Sequence, residues 1–136
     1  MERITIQTTV NAPISDVWKY WTDPRHIVKW NNASDDWHTP TAENDLRVGG
    51  KFLSRMEAKD GSFGFDFGGT YTEVDPYRRI AYDMTDERSV EADFTEEDGK
   101  TRIVQTFDPE RQNSLEMQRQ GWQAILDNFK KYVESR

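Results

Sequence analysis

Hydrophobic and polar residues alternate from Arg3 to Val10, with Ile4, Ile6, Thr8 and Val10 on one side, and a period of two predicts a half-buried β-strand. The period then changes. After Asn11-Ala12-Pro13, Ile14, Val17, Trp18 and Trp21 recur at helical spacing, and a first helical turn tolerates proline because its missing N–H would be unpaired there anyway. Thr22-Asp23-Pro24 ends this helix and caps a second short one with Ile27, Val28 and Trp30 on its buried side. Asn31 to Asn44 is polar around isolated Trp37 and His38, and Pro40 keeps it out of a sheet's centre, so a loop or short edge strand is expected.

Beyond Asp45-Leu46-Arg47-Val48-Gly49-Gly50, which is turn chemistry with glycines suited to a bulge or tight bend, the pattern is that of strands joined by hairpins. Strands are expected over Lys51 to Ala58, Phe63 to Val74, Arg78 to Thr85, Ser89 to Glu96 and Thr101 to Phe107. Asp60-Gly61 and Asp98-Gly99 are hairpin turns, and Asp75-Pro76-Tyr77 and Asp86-Glu87 are further tight connections. Gly68-Gly69 interrupts the second of these strands, where missing side chains predict a sharp bend that could reverse side-chain parity locally.

Asp108-Pro109-Glu110 stops the last strand, Asn113 or Ser114 can serve as an N-cap, and one amphipathic helix is predicted to run from there to Val133. Leu115, Gln118, Trp122, Ile125, Leu126, Phe129 and Val133 form its apolar stripe. A long helix arriving after a curved antiparallel sheet has one large apolar surface to cover, the concave face, and a helix over a cup can enclose a pocket. The fold class expected is α+β, with about six to seven antiparallel strands, two short helices after the first strand, and a single domain spanning 1–136.

Composition narrows the function. The chain has seven Phe, five Tyr and five Trp but only four Leu, and large flat side chains fill space less adaptably than aliphatics. The 25 Asp plus Glu against 18 Lys plus Arg leave a net charge of −7 with no basic stripe, which disfavours nucleic acid and anionic membranes as partners. The absence of Cys removes disulfides, thiolate metal sites and cysteine nucleophiles. No signal-peptide pattern comes after Met1 and no apolar run approaches ~18 residues, so a cytoplasmic location is expected.

Candidate acid–base groups are sparse. His26 and His38 are the only histidines, and their spacing fits no metal pattern. Asp35-Asp36-Trp37-His38 is the densest cluster of titratable groups, readable as a site or as a solvated loop. No serine sits in a Gly-x-Ser-x-Gly context, and no glycine pair leads into a phosphate-loop Lys. No metal, cofactor or catalytic residue is therefore assigned.

The remaining candidates face the cup. Strand alternation groups Phe52, Ser54 and Met56, then Phe65, Phe67 and Tyr71, then Tyr82 and Met84, then Phe94 and Gln105. The short helices add Trp18, Trp21 and Trp30, and the long helix adds Gln118, Trp122 and Ile125, with Gly121 expected to let its backbone approach closely. Ser54, Tyr82 and Gln105 are polar groups that could orient a ligand among apolar neighbours.

Several words in this sequence resemble the helix-grip or START-like (SRPBCC) superfamily, and within it the family related to the activator of Hsp90 ATPase. They are Ala12-Pro13, Val17-Trp18, Trp21-Thr22-Asp23-Pro24 and Trp30; Asp45-Leu46-Arg47-Val48-Gly49-Gly50 with Phe52; Gly69-Thr70-Tyr71 with Val74-Asp75-Pro76; and Gly121-Trp122 with Leu126. The resemblance implies a sheet gripping the C-terminal helix around a cavity that in many relatives takes a lipid, sterol, hormone or polyketide-like molecule. Three functional readings stand at this point. The first is a monomeric domain binding a flat, largely apolar ligand. The second is a cyclase- or hydratase-like enzyme in which Tyr82, Asp36 or His38 moves a proton. The third, from the family's name, is a co-chaperone acting on an Hsp90-type ATPase, although the eukaryotic activator carries an N-terminal domain that this sequence lacks.

Overall fold

The computed structural model describes residues 2–136, and its elements run β1 (Ile4–Val10), α1 (Ile14–Thr22), α2 (Pro24–Trp30), β2 (Trp37–Asn44), β3 (Lys51–Ala58), β4 (Gly64–Asp75), β5 (Arg79–Met84), β6 (Ser89–Glu97), β7 (Lys100–Phe107) and α3 (Leu115–Glu134). The strands form one seven-stranded sheet, antiparallel throughout, in the order β1-β7-β6-β5-β4-β3-β2. Everything from β2 to β7 is a meander, and β1 closes it by pairing with β7, Ile4 opposite Phe107 and Val10 opposite Thr101. The sheet curls into a half-barrel with α3 against its inner face. No helix among the described residues is long and apolar enough to cross a membrane.

Local chemistry sets the boundaries. The Asp23 carboxylate caps α2 by accepting from the Arg25 N–H at 2.9 Å, and its side-chain pairing with Arg25 holds its pKa down at about 2. Ser114 caps α3, accepting from the Met117 N–H. Asp98 and Gly99 both have positive φ, as the two central residues of a tight hairpin turn require. Pro40 lies in the edge strand β2 where the register slips between His38 and Thr41, so its missing N–H costs the sheet no ladder bond. The segment expected as a loop or short edge strand is thus a full eight-residue strand.

Two expectations about strand geometry need correcting. Gly68 and Gly69 lie within an unbroken β4, and their role is close approach. A Cβ on Gly69 would come within 2.5 Å of the Asp83 carbonyl oxygen and 3.1 Å of the Phe52 ring, and one on Gly68 within 2.8 Å of the Phe52 carbonyl oxygen. Parity runs unchanged through them from Phe65 to Tyr71. It shifts afterwards, where Thr72 is the extra residue between the pairs Tyr71–Tyr82 and Glu73–Ala81, forming a bulge.

The core fills the concave side at the end covered by α1, α2 and the C-terminal half of α3. Phe129 is fully buried, with its ring 4.9 Å from Trp21 and 4.8 Å from Trp30. Val10, Val17, Ile103 and Leu126 complete this layer with almost no exposure. The helical stripe is therefore correct in its C-terminal half, while Leu115, in the first turn, is 43% exposed.

Candidate functional site

The remainder of the concave side, between the sheet and the N-terminal half of α3, is a cavity of about 360 Å³, within the range of ~300 to 1,000 Å³ typical of small-molecule sites. Phe52 anchors its floor, its ring 4.7 Å from Tyr82, 5.4 Å from Tyr71 and 5.7 Å from Phe67. Met56, Phe65, Ile80 and Met84 extend this apolar surface along β3, β4 and β5. Trp21 and Ile27 with Trp30 contribute from α1 and α2, and Trp122, Ile125 and Leu126 from α3.

Trp122 walls the cavity without plugging it. Its indole stacks on Phe107 with centroids 4.0 Å apart and planes 12° from parallel, and the Phe67 ring meets it edge-on at 6.1 Å. Face-to-face stacking holds the indole back against β7, so the volume between α3 and β3 to β5 stays unfilled.

Three polar side chains of the sheet reach this volume without a protein partner, and the buried Asn31 amide just after α2 is a fourth. Ser54 and Gln105 are buried and Tyr82 is half-buried. Among the described residues the Ser54 hydroxyl, Tyr82 phenol and Gln105 amide make no hydrogen bond to protein, yet no fully sealed side-chain polar atom is left unsatisfied. Their polar atoms therefore open onto the cavity they line. Polar groups in an apolar wall are costly to leave unpaired, so a molecule entering the cavity gains most by pairing with them.

Tyr71 is different. Its hydroxyl donates to the Asn44 Oδ1 at 2.6 Å, and the Asn44 Nδ2 donates to the Thr22 carbonyl at 2.7 Å, which ties the cavity floor to the end of α1. Burial raises the pKa of both phenols far above the ordinary tyrosine value, with Tyr71 adding to the effect at Tyr82 and the Asn44 bond opposing it at Tyr71. Both phenols are neutral at physiological pH and act as hydrogen-bonding groups.

Gln118 lines the cavity, but its amide is spent on the chain. Its Oε1 accepts from the Glu110 N–H at 2.8 Å, and its Nε2 donates to the carbonyls of Asn113 at 2.9 Å and Glu110 at 3.2 Å. It ties the β7–α3 loop to the first turns of the helix. That loop supplies Glu110 and Asn113 to the cavity, while Arg88 enters from the β5–β6 turn and is paired with Asp86 at 2.7 Å.

Three predicted wall residues lie elsewhere. Trp18 and Phe94 pack edge to face at 5.5 Å beneath α1, with Tyr77 5.6 Å from Trp18, so they belong to the solid core. Gly121 is not in the wall. A Cβ built there meets nothing within 4 Å, so no close backbone approach explains this glycine.

Of the titratable residues of the proton-transfer reading, Tyr82 lines the cavity while Asp36 and His38 lie outside its wall. Asp35 and Asp36 are exposed, Asp36 accepting a hydrogen bond from Ser34, and His38 lies 3.8 Å from the Glu57 carboxylate across β2 and β3. His26 shares a 2.7 Å hydrogen bond with the Tyr132 hydroxyl, between α2 and α3. No group of three potential metal-binding side chains occurs among the described residues.

Of the wall residues not anticipated, Ile80 shares the parity of Tyr82 and Met84 and Leu126 lies on the helical stripe, so both carried a readable signal. Asn31, Glu43, Asn44, Arg88, Glu110 and Asn113 sit at element ends or in turns, where no period indicates direction. Ile27 was legible as buried but not as facing the cavity.

The family model for Activator of Hsp90 ATPase homolog 1-like protein matches residues 11–134, and the chain belongs to that family. It is 47% identical to an AHSA1-like protein from Aeromonas hydrophila, covering 98% of this chain and 93% of that one with a TM-score of 0.93. It is 51% identical to a protein from Cytophaga hutchinsonii, covering 98% and 92% with a TM-score of 0.85. A protein from Nitrosomonas europaea shares the fold at 19% identity and a TM-score of 0.84, covering 98% and 94%. No curated protein matches.

Proposed function

We propose that this member of the Activator of Hsp90 ATPase homolog 1-like family is a small-molecule binding protein. Its ligand is a flat, largely apolar molecule of polyphenol, polyketide or lipid character, held between the sheet and α3. The observation that carries the reading is the pairing of an aromatic cavity of about 360 Å³ with three unpartnered polar groups on its sheet wall, Ser54, Tyr82 and Gln105. An apolar body satisfies the aromatic walls, and one or two hydroxyl or carbonyl groups satisfy the polar trio. The proton-transfer reading offered Tyr82, Asp36 or His38; only Tyr82 lines the cavity, and burial keeps its phenol neutral, which favours binding over that reading.

Ligand-detected NMR with hydroxylated naphthalenes, flavonoids and fatty acids tests the proposal. At least one class should bind with a Kd of about 10 to 500 μM, and Tyr82→Phe or Gln105→Leu should weaken it about three- to ten-fold, as expected for loss of one buried hydrogen bond. Binding weaker than millimolar for every class, or binding indifferent to both substitutions, overturns it.

A further inference from the structure

One wall residue of the cavity is also part of the outer surface. Phe65 lines the cavity and is 42% exposed, so the apolar wall continues out to solvent along β4. It continues onto other aromatic rings. The Trp37 ring lies 5.9 Å from Phe65 and 6.1 Å from Phe63, and Phe63 lies 6.3 Å from Phe65.

The three rings come from different places in the chain. Trp37 opens β2, Phe65 belongs to β4, and Phe63 precedes β4 in the β3–β4 hairpin. The register brings them together, since Trp37 pairs with Ala58 and Phe65 with Met56 on the intervening strand β3. Phe63 is 63% exposed, and its ring contacts are with these aromatics rather than with the core. A shelf of touching aromatic rings that is continuous with a ligand cavity is apolar area left for something emerging from that cavity.

We infer that the ligand is longer than the cavity, and that its outer apolar portion leaves past Phe65 and lies on the shelf formed by Trp37 and Phe63. The inference rests on the binding reading above and narrows its ligand class to elongated amphiphiles. The polar end of such a molecule pairs with the Ser54, Tyr82 and Gln105 groups, its flat body fills the aromatic cup, and a chain or second ring system crosses the mouth.

Two probes with the same inner end separate the claims: 2-naphthol, and 6-octyloxy-2-naphthol, which adds an eight-carbon chain. Kd values are measured by titration against the full chain, Phe63→Ser and Trp37→Thr. Phe63 is mostly exposed, so its replacement leaves folding intact, and the Trp37 indole N–H resonance gives a second readout in the unmodified protein. The octyloxy compound should bind the unmodified chain at least ten-fold tighter than 2-naphthol and shift the Trp37 signal. Phe63→Ser should remove about five-fold of that gain while leaving 2-naphthol unchanged. If the two probes lose affinity equally, or the chain shifts no Trp37 signal, the shelf is not a subsite and the cavity reading survives. If neither probe binds below millimolar, the elongated-ligand inference falls, and the cavity reading falls with it only if flavonoids and fatty acids also fail to bind.

Discussion

The inside of this half-barrel holds two aromatic clusters of similar chemistry and opposite fate. At one end Trp18, Trp21, Trp30, Phe94 and Phe129 interlock edge to face and leave no space, with α1, α2 and the last turns of α3 closed over them. At the other Phe52, Phe67, Tyr71, Tyr82 and Trp122 also touch, some edge to face and some tilted, yet they surround about 360 Å³. Aromatic content does not distinguish them. Two things do: three helices close over the first cluster while α1 and α2 reach the second only at its border, through Trp21, Ile27 and Trp30, and unpartnered polar groups occur only in the second wall. Packing is completed where helices converge, and the cavity is what remains.

The sharpest way to break this comparison is to delete one ring from each cluster. Phe129→Ala removes a fully buried ring from between two tryptophans and should cost about 3 to 5 kcal/mol in chemical denaturation, as large-to-small changes in closed cores do. Phe67→Ala removes a half-buried ring beside an existing void and should cost less than about 2 kcal/mol, because few contacts on its cavity side are lost. Equal costs would mean the second cluster is packed as tightly as the first.

A smaller stability effect with a larger functional one comes from filling the void. Ser54 is buried and faces the cavity, so Ser54→Leu should change stability by no more than about 1 kcal/mol in either direction, apolar burial offsetting any local crowding. The same change should weaken the binding of 2-naphthol by at least ten-fold, measured by the same titration. Unaltered binding would place the ligand elsewhere.

The closed end also carries a pH dependence on the acid side of neutrality. Desolvation lowers the His26 pKa, Lys19, Arg136 and Arg25 lower it further, and Asp23 opposes them. The imidazole bonds to the Tyr132 hydroxyl and sits edge-on to Tyr20, 4.6 Å away. Because the folded-state pKa is below the unfolded value of ~6.5, the unfolded chain binds the proton first. Stability should therefore fall as pH drops below ~6.5 and stop falling from this source once pH passes the folded value. His26→Gln, compared with the unmodified chain by denaturation between pH 7.5 and 5, should flatten that slope. An unchanged slope would assign the effect to other groups.

Much of the closed end was legible from periodicity, because residues there obey one rule each: Ile4, Val17, Ile103 and Phe129 sit where alternation or helical spacing puts them. The open end was legible in its floor and less so in its rim. Ser54, Tyr82 and Gln105 came from strand parity, while Arg88, Glu110 and Asn113 belong to turns whose course depends on what they pack against. Trp18 and Phe94 had the right parity for the cup and were assigned to the wrong end of it, since period determines face and not position along the barrel. Gln118 faces the cup as expected, but only the fold of residues 110–114 shows that its amide is already occupied.

The smallest effect tests the half of α3 that belongs to the open end. Gly121 interrupts a helix interior, where glycine is disfavoured relative to alanine by about 0.5 to 1 kcal/mol. A methyl group there meets no atom within 4 Å, so no steric term opposes the gain in helix propensity. Gly121→Ala should thus raise stability by about 0.5 to 1 kcal/mol in denaturation, leaving the Trp122 stack and probe affinity unchanged. If the substitution instead weakens binding with stability raised, flexibility of this turn is part of ligand entry and the open end is mobile as well as unfilled. If it lowers stability, something packs against this face of the helix, and the contrast between the two ends is smaller than their geometry implies.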